Sequence, residues 1–459
     1  MTIEPEYQRT LDYLYSFVDF SIQKTFHTNP PKFDLDKILA FVKALGNPHQ
    51  GYPIIHVAGT KGKGSVSAMC ASALKAAGYR VGFYISPHLH DYNERIQIDN
   101  QPIPHAVLVS LVEELKPIIG SIPQITTFEI TTGLAFTYFK RQKVNAAVIE
   151  VGLGGRLDAT NVVTPVISVI TSLSYDHMFL LGNTLTEIAG EKAGIIKPGI
   201  PIISSPQKDE ALSVLKRIAS ERSAPFYQMG DDYRYAPFQH DLRQQTLFVW
   251  PKADQAKMNG FLAGNVKEEW QPRQLQIPLL GYHQVENAAT AYAALQVARN
   301  NGLPISEDNI WTGFSRVTWP GRFEVLRKEP PLVVDSAHNR DSALKLRLAL
   351  ADYFPGRPVI LIFGASEDKD IQGMLAELTP CVRKVITTKA NHPRAMDPDA
   401  LVDLVHRFGR PARAMDNIPQ ALEAALNTGN NECVVLAAGS IFMSAEVRQA
   451  WLEKRYNNA

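Results

Sequence analysis

The sequence predicts an α/β protein: a doubly wound, mostly parallel sheet followed by a second, smaller α/β domain. Three observations carry this. Short β-branched runs alternate with helical stretches at the spacing of βαβ units. One such run, Ile-Ile-His-Val-Ala at 54–58, passes through the glycine-rich turn Gly-Thr-Lys-Gly-Lys-Gly-Ser at 59–65 into an alanine-rich helical stretch that stops at Gly78. The alternation lapses between 208 and 279 and restarts beyond Thr318-Trp319-Pro320-Gly321, which reads as a connector.

Taken in order, residues 7–26 read as an aromatic-rich helical arm, broken by Asn29-Pro30-Pro31. Asp34 is placed to N-cap a helix that runs to about residue 45 and is closed by Gly46, Asn47 and Pro48. After the glycine-rich turn, residues 81–85 form a strand, 108–115 a helix, and a longer helix follows Thr126-Thr127-Phe128-Glu129. Residues 146–151 and 166–171 are further strands, and 187–195 a helix. The stretch 208–279 is more polar and less regular, and no chemistry is legible in it. Helical periodicity returns at 284–300; strands follow at 332–335, 358–364, 384–388 and 433–438.

Composition narrows the function classes. A chain of 459 residues exceeds one core, so two domains are expected and three are allowed. Hydrophobic residues at 45% and charged residues at 20% make an ordinary globular mix, and a net charge of +1 gives no global attraction to nucleic acid or an anionic membrane. Cys70, Cys381 and Cys433 sit in apolar runs without metal spacing, as core residues of a reducing compartment do. The polar, acidic start argues against a signal peptide, and no apolar run approaches the ~18 residues of a membrane span. A soluble cytoplasmic protein is expected.

The turn at 59–65 is the strongest single signal. Its glycines let backbone N–H groups close on an anion, and the following helix aims its positive end at the same place. Lys63 adds a mobile cation for phosphates, and the Ser65 hydroxyl can reach a bound Mg2+. The match to the general phosphate-loop pattern is imperfect: Val57 stands where its first glycine would be, and Gly64 separates Lys63 from Ser65. An ordinary glycine-rich turn with a surface lysine is the competing reading.

Ligands of open α/β sheets bind at the carboxyl ends of strands. Ser86, Glu150 and Asp176-His177 follow or end such strands, and with Ser65 they offer a ligand set for Mg2+. Read singly, Glu150 could equally be an end-of-strand ion pair and His177 a helix N-cap or core histidine. Lys192, alone on a helix with Glu191, reads as a solvated surface charge. In the second domain Asp335, His338 and Asn339 fall on one strand-end loop. Arg322 can stack on a base or neutralise phosphate, or pin the domains by a salt bridge.

Taken together, these segments resemble the folylpolyglutamate synthase/dihydrofolate synthase family of the Mur ligase superfamily. The motifs are Gly-Thr-Lys-Gly-Lys-Gly-Ser (59–65), Ser-Pro-His-Leu…Asn-Glu-Arg-Ile (86–96) and Glu-Val-Gly-Leu-Gly-Gly-Arg-Leu-Asp-Ala-Thr-Asn (150–161). The Asp-His to Glu-Lys-Ala-Gly-Ile stretch (176–195), His-Gln-Val-Glu-Asn-Ala-Ala-Thr-Ala (283–291), Trp-Pro-Gly-Arg-Phe-Glu (319–324), Asp-Ser-Ala-His-Asn (335–339) and Asp-Lys-Asp (368–370) complete the set. They span nearly the whole chain, and the twelve-residue match at 150–161 outweighs the bland single-residue readings.

The resemblance implies a P-loop-type, ATPase-like domain at 1–312, a linker at 313–321 and a Rossmann-like ligase domain at 322–459. It implies an ATP-dependent amide ligase: a substrate carboxylate attacks the γ-phosphate, and the amine of L-glutamate displaces phosphate from the acyl phosphate. Carried over by motif, Thr60, Gly62, Lys63, Gly64, Ser65, Asn287, Arg322 and Asp335 would contact ATP. Ser65, Ser86, Glu150 and His177 would hold Mg2+, and Lys192 would be carboxylated to a carbamate that ligates a second ion. His338 and Ser440 would lie on the side that receives glutamate, and with Lys63 and Lys192 they would form the catalytic set. Lys32, Phe33, Asp34, Leu35, Thr127, Phe128, Glu129, Leu157, Asp158 and Ala159 would line the site of the reduced folate or dihydropteroate. A monomer without nucleic-acid or membrane partners is implied.

Three positions depart from the family pattern: Lys61 for the usual Asn, Ser336 for a common Gly or Val, and Tyr175 for a common Leu. None removes a catalytic group. A monofunctional dihydrofolate synthase, a ligase acting on a nucleotide-linked muramoyl substrate and a dead ATP-binding homologue are the competing readings. The 150–161 motif disfavours the muramoyl ligase, and retention of Lys63, Glu150, His177, Lys192 and His338 disfavours the dead homologue.

Overall fold

The computed structural model describes residues 4–18, 34–264, 270–429 and 432–457. The chain divides into two units: one from the described residues of Met1–Phe238, Thr246–Ile277 and Val285–Val317, the other from Gln239–Gln245, Pro278–Gln284 and Thr318–Ala459.

The first unit carries an eight-stranded sheet of β1 (Ile54–Ala58), β2 (Val81–Tyr84), β3 (Ile96–Ile98), β4 (Gln101–Pro102), β5 (Ala146–Glu150), β6 (Ile167–Ile170), β7 (Ile202–Ser204) and β8 (Phe226–Gln228). Its order is β4-β3-β2-β5-β1-β6-β7-β8, with the β2–β3 and β3–β4 pairings antiparallel and the remainder parallel. Every residue of β1, β5 and β6 is buried, as strands covered on both faces must be, which is why they read as continuous apolar runs. Val57 pairs with Glu150 and Ala58 with Ile170, while Tyr84 pairs with Ile149. The carboxyl ends of β2, β5, β1 and β6 therefore lie side by side on one edge. Small residues let the helix Lys63–Ala76 pack close to the helix Glu307–Ser315, where Ser72 Oγ donates to Gly313 O at 2.7 Å.

The stretch expected to be irregular is regular. It holds the helix Asp209–Glu221, whose Ala211, Val214, Leu215 and Ala219 form a buried stripe. A three-stranded sheet of β9 (Tyr233–His240), β10 (Gln245–Pro251) and β11 (Gln274–Ile277) follows, in the order β11-β10-β9. The solvated residues of β9 disguise it, because its pattern has no sustained alternation.

The second unit holds a six-stranded sheet of β12 (Glu324–Lys328), β13 (Pro331–Val334), β14 (Val359–Phe363), β15 (Val382–Thr387), β16 (Ala412–Ala414) and β17 (Val434–Ala438). The order is β12-β13-β17-β14-β15-β16; only β12 runs antiparallel to its neighbour. Alternate residues feed two cores: Val333, Leu361, Phe363 and Leu436 on one face, Leu332, Val334, Ile360, Ile362 and Val435 on the other. The edge strands β12 and β16 escape the sequence reading because both are polar and half-solvated.

Three local expectations are corrected. The N-terminal helix is Pro5–Tyr15 and does not run on through 16–18: Val18 pairs with Thr126 as an isolated bridge, and Leu14 O accepts from Thr127 Oγ1 at 2.8 Å. The rest of the expected arm lies outside the described residues. Leu35, not Asp34, is the N-cap of the helix Asp36–Ala44; Asp34 Oδ1 accepts from Asp36 N at 3.2 Å, a local turn. The helix expected at 108–115 extends over His105–Ser121. Among the described residues, no helix is long and apolar enough to cross a membrane.

Candidate active site

The glycine-rich turn after β1 is held by residues that follow β6. The N–H groups of Thr60 and Lys61 donate to Ser172 O at 3.0 and 3.1 Å, and Thr60 Oγ1 donates to Ser174 O at 3.1 Å. Gly59 has φ +151° and Gly62 φ +90°, conformations that L side chains rarely adopt. Space forbids a side chain too: a Cβ on Gly59 would land on Thr171 Oγ1, and one on Gly62 on Asn287 Oδ1. Asn287, on the helix Tyr282–Arg299, thus abuts the loop from across the sequence. Gly62 caps the helix Lys63–Ala76 without any side-chain bond, so the positive end of a 14-residue helix faces the loop. Thr60, Gly62, Gly64 and Ser65 form its rim, with Ser65 buried and Lys63 half-buried.

Charged groups gather around this turn. Lys61 Nζ donates to Asp176 Oδ2 at 2.9 Å, and Asp176 Oδ1 accepts from His177 N at 3.0 Å. His177 is half-exposed with φ +50°, and its ring does not cap the helix Met178–Leu181 that it precedes. Lys192 is buried, 4% exposed, and its Nζ donates to Gly59 O at 2.8 Å, so it is not the solvated surface lysine that its bare context suggests. Burial first, then repulsion from Lys63 and Lys61, pulls its pKa down to about 7, opposed by Asp176 and Asp158. Glu150 ends β5, buried, opposite Val57, and Ser86 follows the adjacent β2.

Beside this edge lie the residues expected at the acceptor. Thr126 N and Thr126 Oγ1 donate to Glu129 Oε2 at 2.8 and 2.7 Å, a capping box for the helix Thr127–Arg141. Asp158 Oδ2 accepts from Leu153 N at 2.8 Å; its Oδ1 accepts from Thr160 N at 3.0 Å and Thr160 Oγ1 at 2.5 Å. Burial raises the Asp158 pKa while these donors lower it. Thr127, Glu129 and Asp158 therefore use polar contacts to build the two loops, and Phe128 lies against Gly152 with its ring centroid 6.0 Å from that of Tyr84. Leu157 and Ala159 flank Asp158, and Leu35 with Asp34 opens the helix Asp36–Ala44. Lys32 and Phe33 lie outside the described residues.

In the second unit, the loops after β13 and β17 meet. Asp335 is buried; its Oδ2 accepts from Phe323 N at 2.7 Å and its Oδ1 from Ala337 N at 2.8 Å. Burial pushes its pKa up, against those bonds and the Arg322 cation. Gly439 N donates to Ala337 O at 3.0 Å, and Ser440 Oγ accepts from Met443 N at 3.0 Å at the start of the helix Ile441–Asn457. His338 Nδ1 lies 2.9 Å from Ser336 O; a carbonyl only accepts, so Nδ1 carries a proton. Ser336, a departure from the family pattern, donates through Oγ to Gly321 O at 2.8 Å.

Sequence reasoning missed Thr171, the pairing of Lys61 with Asp176, and His56, whose Nε2 lies 2.9 Å from Thr160 Oγ1. Burial holds the His56 pKa down to about 3, so it stays neutral. No local signal marks these: His56 and Thr171 sit inside strand-like runs, and each partner is more than 100 residues away in the contacts of His56 and Lys61.

Comparison with known proteins agrees with this geometry. Residues 57–295 match the Mur ligase middle domain and residues 321–441 the Mur ligase, glutamate ligase domain. The chain is 36% identical over 456 residues to a folylpolyglutamate synthase of Lacticaseibacillus casei, covering 97% of this chain and 99% of that one. It is 34% identical over 423 residues to a dihydrofolate synthase/folylpolyglutamate synthase of Bacillus subtilis, covering 90% and 94%. The structure of E. coli FolC in complex with DHPP and ADP superposes with a TM-score of 0.82 at 30% identity, covering 98% of each chain. A glycine-rich turn on a four-strand edge, in a chain matched over nearly its whole length by such relatives, leaves one assignment: this is a member of the folylpolyglutamate synthase/dihydrofolate synthase family of Mur ligases, and an ATP-dependent ligase.

Proposed function

We propose that the protein joins L-glutamate to the carboxylate of a pteridine substrate, a reduced folate and also dihydropteroate, at the expense of ATP. The observation that carries this is the shared edge of β2, β5, β1 and β6, which sets Ser86, Glu150, the 59–65 turn and the Asp176-His177 loop side by side.

On this reading, backbone N–H groups and Lys63 hold the ATP phosphates, with Asn287 beside Gly62. The donor set fits Mg2+: the hydroxyls of Ser65 and Ser86, the Glu150 carboxylate and His177 leave room for the waters a hard cation keeps. Bound there, the ion would neutralise charge at the γ-phosphoryl. Lys192 as an ammonium cannot ligate a cation. With its pKa near 7, half its population is a neutral amine at that pH, whose nitrogen can add to CO2 with loss of one proton to give a carbamate.

The acceptor carboxylate then attacks the γ-phosphorus and ADP leaves. The glutamate nitrogen attacks the acyl carbon, the C–O bond to phosphate breaks, and inorganic phosphate departs. Thr127–Glu129 and Leu157–Ala159 shape the pteridine side. Arg322 and Asp335 serve the nucleotide, and His338 and Ser440 the incoming glutamate, the second unit acting as the ligase domain.

The test is ADP release from Mg·ATP and L-glutamate with dihydropteroate and tetrahydrofolate offered separately. Turnover with both establishes the bifunctional enzyme, and turnover with one names the acceptor. Turnover with neither, by protein that binds ADP, overturns the proposal.

A further inference from the structure

Arg95 ends the short turn Tyr92–Arg95 and leads into β3. Its carbonyl accepts from Ile85 N at 3.1 Å, which fixes it beside the end of β2, next to Ser86 in the chain. The side chain is buried, 6% exposed. A guanidinium does not shed its proton, and a buried charge is costly unless an opposite charge meets it. Arg141 and Arg156, both far more exposed, are met by Glu114 and Glu191. Arg95 has no acid within ion-pair distance among the described residues. Its Nε donates to His88 Nδ1 at 3.0 Å, which makes that ring a neutral acceptor, and its guanidinium carbon lies 5.0 Å from the ring centroid of Tyr92.

The charges of Arg95 and Asp158 both act on the Tyr84 hydroxyl, in opposite senses. Asp158 forms no ion pair with it; its oxygens accept instead from Leu153 N, Thr160 N and Thr160 Oγ1. A buried cation with no ion-pair partner among the described residues, its backbone bonded to Ile85 just before Ser86, has the chemistry of an anion receptor.

We propose that Arg95 receives the reacting carboxylate of the acceptor, holding it by paired N–H donors beside the nucleotide edge until phosphoryl transfer. This rests on the ligase reading above. Arg95 contacts substrate, gains and loses no proton, and selects for acceptors that carry a carboxylate.

Kinetics of wild type, Arg95→Ala and Arg95→Lys decide it, with tetrahydrofolate and dihydropteroate as acceptors and ADP binding by calorimetry as the check on folding. The expected result is an acceptor KM raised ~10-fold or more in Arg95→Ala, partly recovered in Arg95→Lys, with ADP affinity within about twofold of wild type. Inhibition by 6-hydroxymethylpterin, a pteridine without a carboxylate, stays the same in all three proteins. An unchanged acceptor KM in a variant that binds ADP overturns the role of Arg95 alone. Parallel loss of ADP or hydroxymethylpterin binding overturns it in favour of a structural role, and if Arg95→Ala does not fold, an unaltered acceptor KM in Arg95→Lys overturns it. Absence of turnover in the wild type fails the ligase reading and takes this proposal with it.

Discussion

Lys61 Nζ and Asp176 Oδ2 form an ion pair at 2.9 Å, with side chains only 14% and 10% exposed. It ties the glycine-rich turn to the loop that carries His177. Breaking one side leaves a largely buried charge without its counterpart, so Asp176→Asn should cost about 2–4 kcal/mol of stability. The double variant Lys61→Asn/Asp176→Asn should lose less than the two single losses added. Urea unfolding of the four proteins measures the coupling, and strict additivity would refute it.

Gly62 combines a positive φ of +90° with a side-chain amide occupying the place of its Cβ. Gly62→Ala must distort the turn or displace Asn287, and ADP affinity should fall ~10-fold or more. Adding Asn287→Ala relieves the crowding but not the dihedral, so affinity should stay below that of wild type. Calorimetric titration with ADP checks both.

Lys63 is half-buried at the first position of its helix, not in the core. Lys63→Ala should therefore fold normally and lose kcat by ~10²-fold or more. Near-normal turnover in the folded variant would remove Lys63 from the phosphoryl-transfer machinery.

Lys192 has a pKa of about 7 in the fold against 10.5 for an ordinary lysine. Between those values the unfolded chain holds the proton and the folded chain does not, so this group makes stability rise with pH over that window. Below about pH 7 its full cost is present. Subtracting the profile of Lys192→Met from that of wild type should expose the rise; a flat difference would contradict a buried, pKa-depressed amine. With 13C-bicarbonate, wild type should show a carbamate carbon resonance that Lys192→Met lacks.

Asp335 accepts two backbone N–H groups in a buried site. Asp335→Asn turns an amide NH2 toward one of those donors and should lower stability by about 1–3 kcal/mol. Thermal unfolding reads this directly, and an unshifted midpoint would show that the loop after β13 tolerates the mismatch.

The sequence by itself determined the parts whose physics is local. Glycines at 59 and 62, a lysine at 63 and an alanine-rich helix specify a strand–turn–helix unit because backbone freedom and helix polarity need only neighbours in the chain. The buried strands β1, β5 and β6 were legible for the same reason, and the motif set named the family before any coordinates. Solvated pieces such as β9, β12 and β16 were not legible, because edge strands with polar faces lack a hydrophobic period. Only the tertiary structure decided which charges meet. Lys192 on its own helix looks solvated; burial against Gly59 and the nearness of Lys63 make it a depressed-pKa amine. Lys61 finds Asp176, and Arg95 ends buried with no ion-pair partner among the described residues, through contacts that sequence spacing does not encode. Desolvation and Coulomb interaction depend on atoms that only the fold brings within a few ångströms, and those terms set the chemistry of this edge.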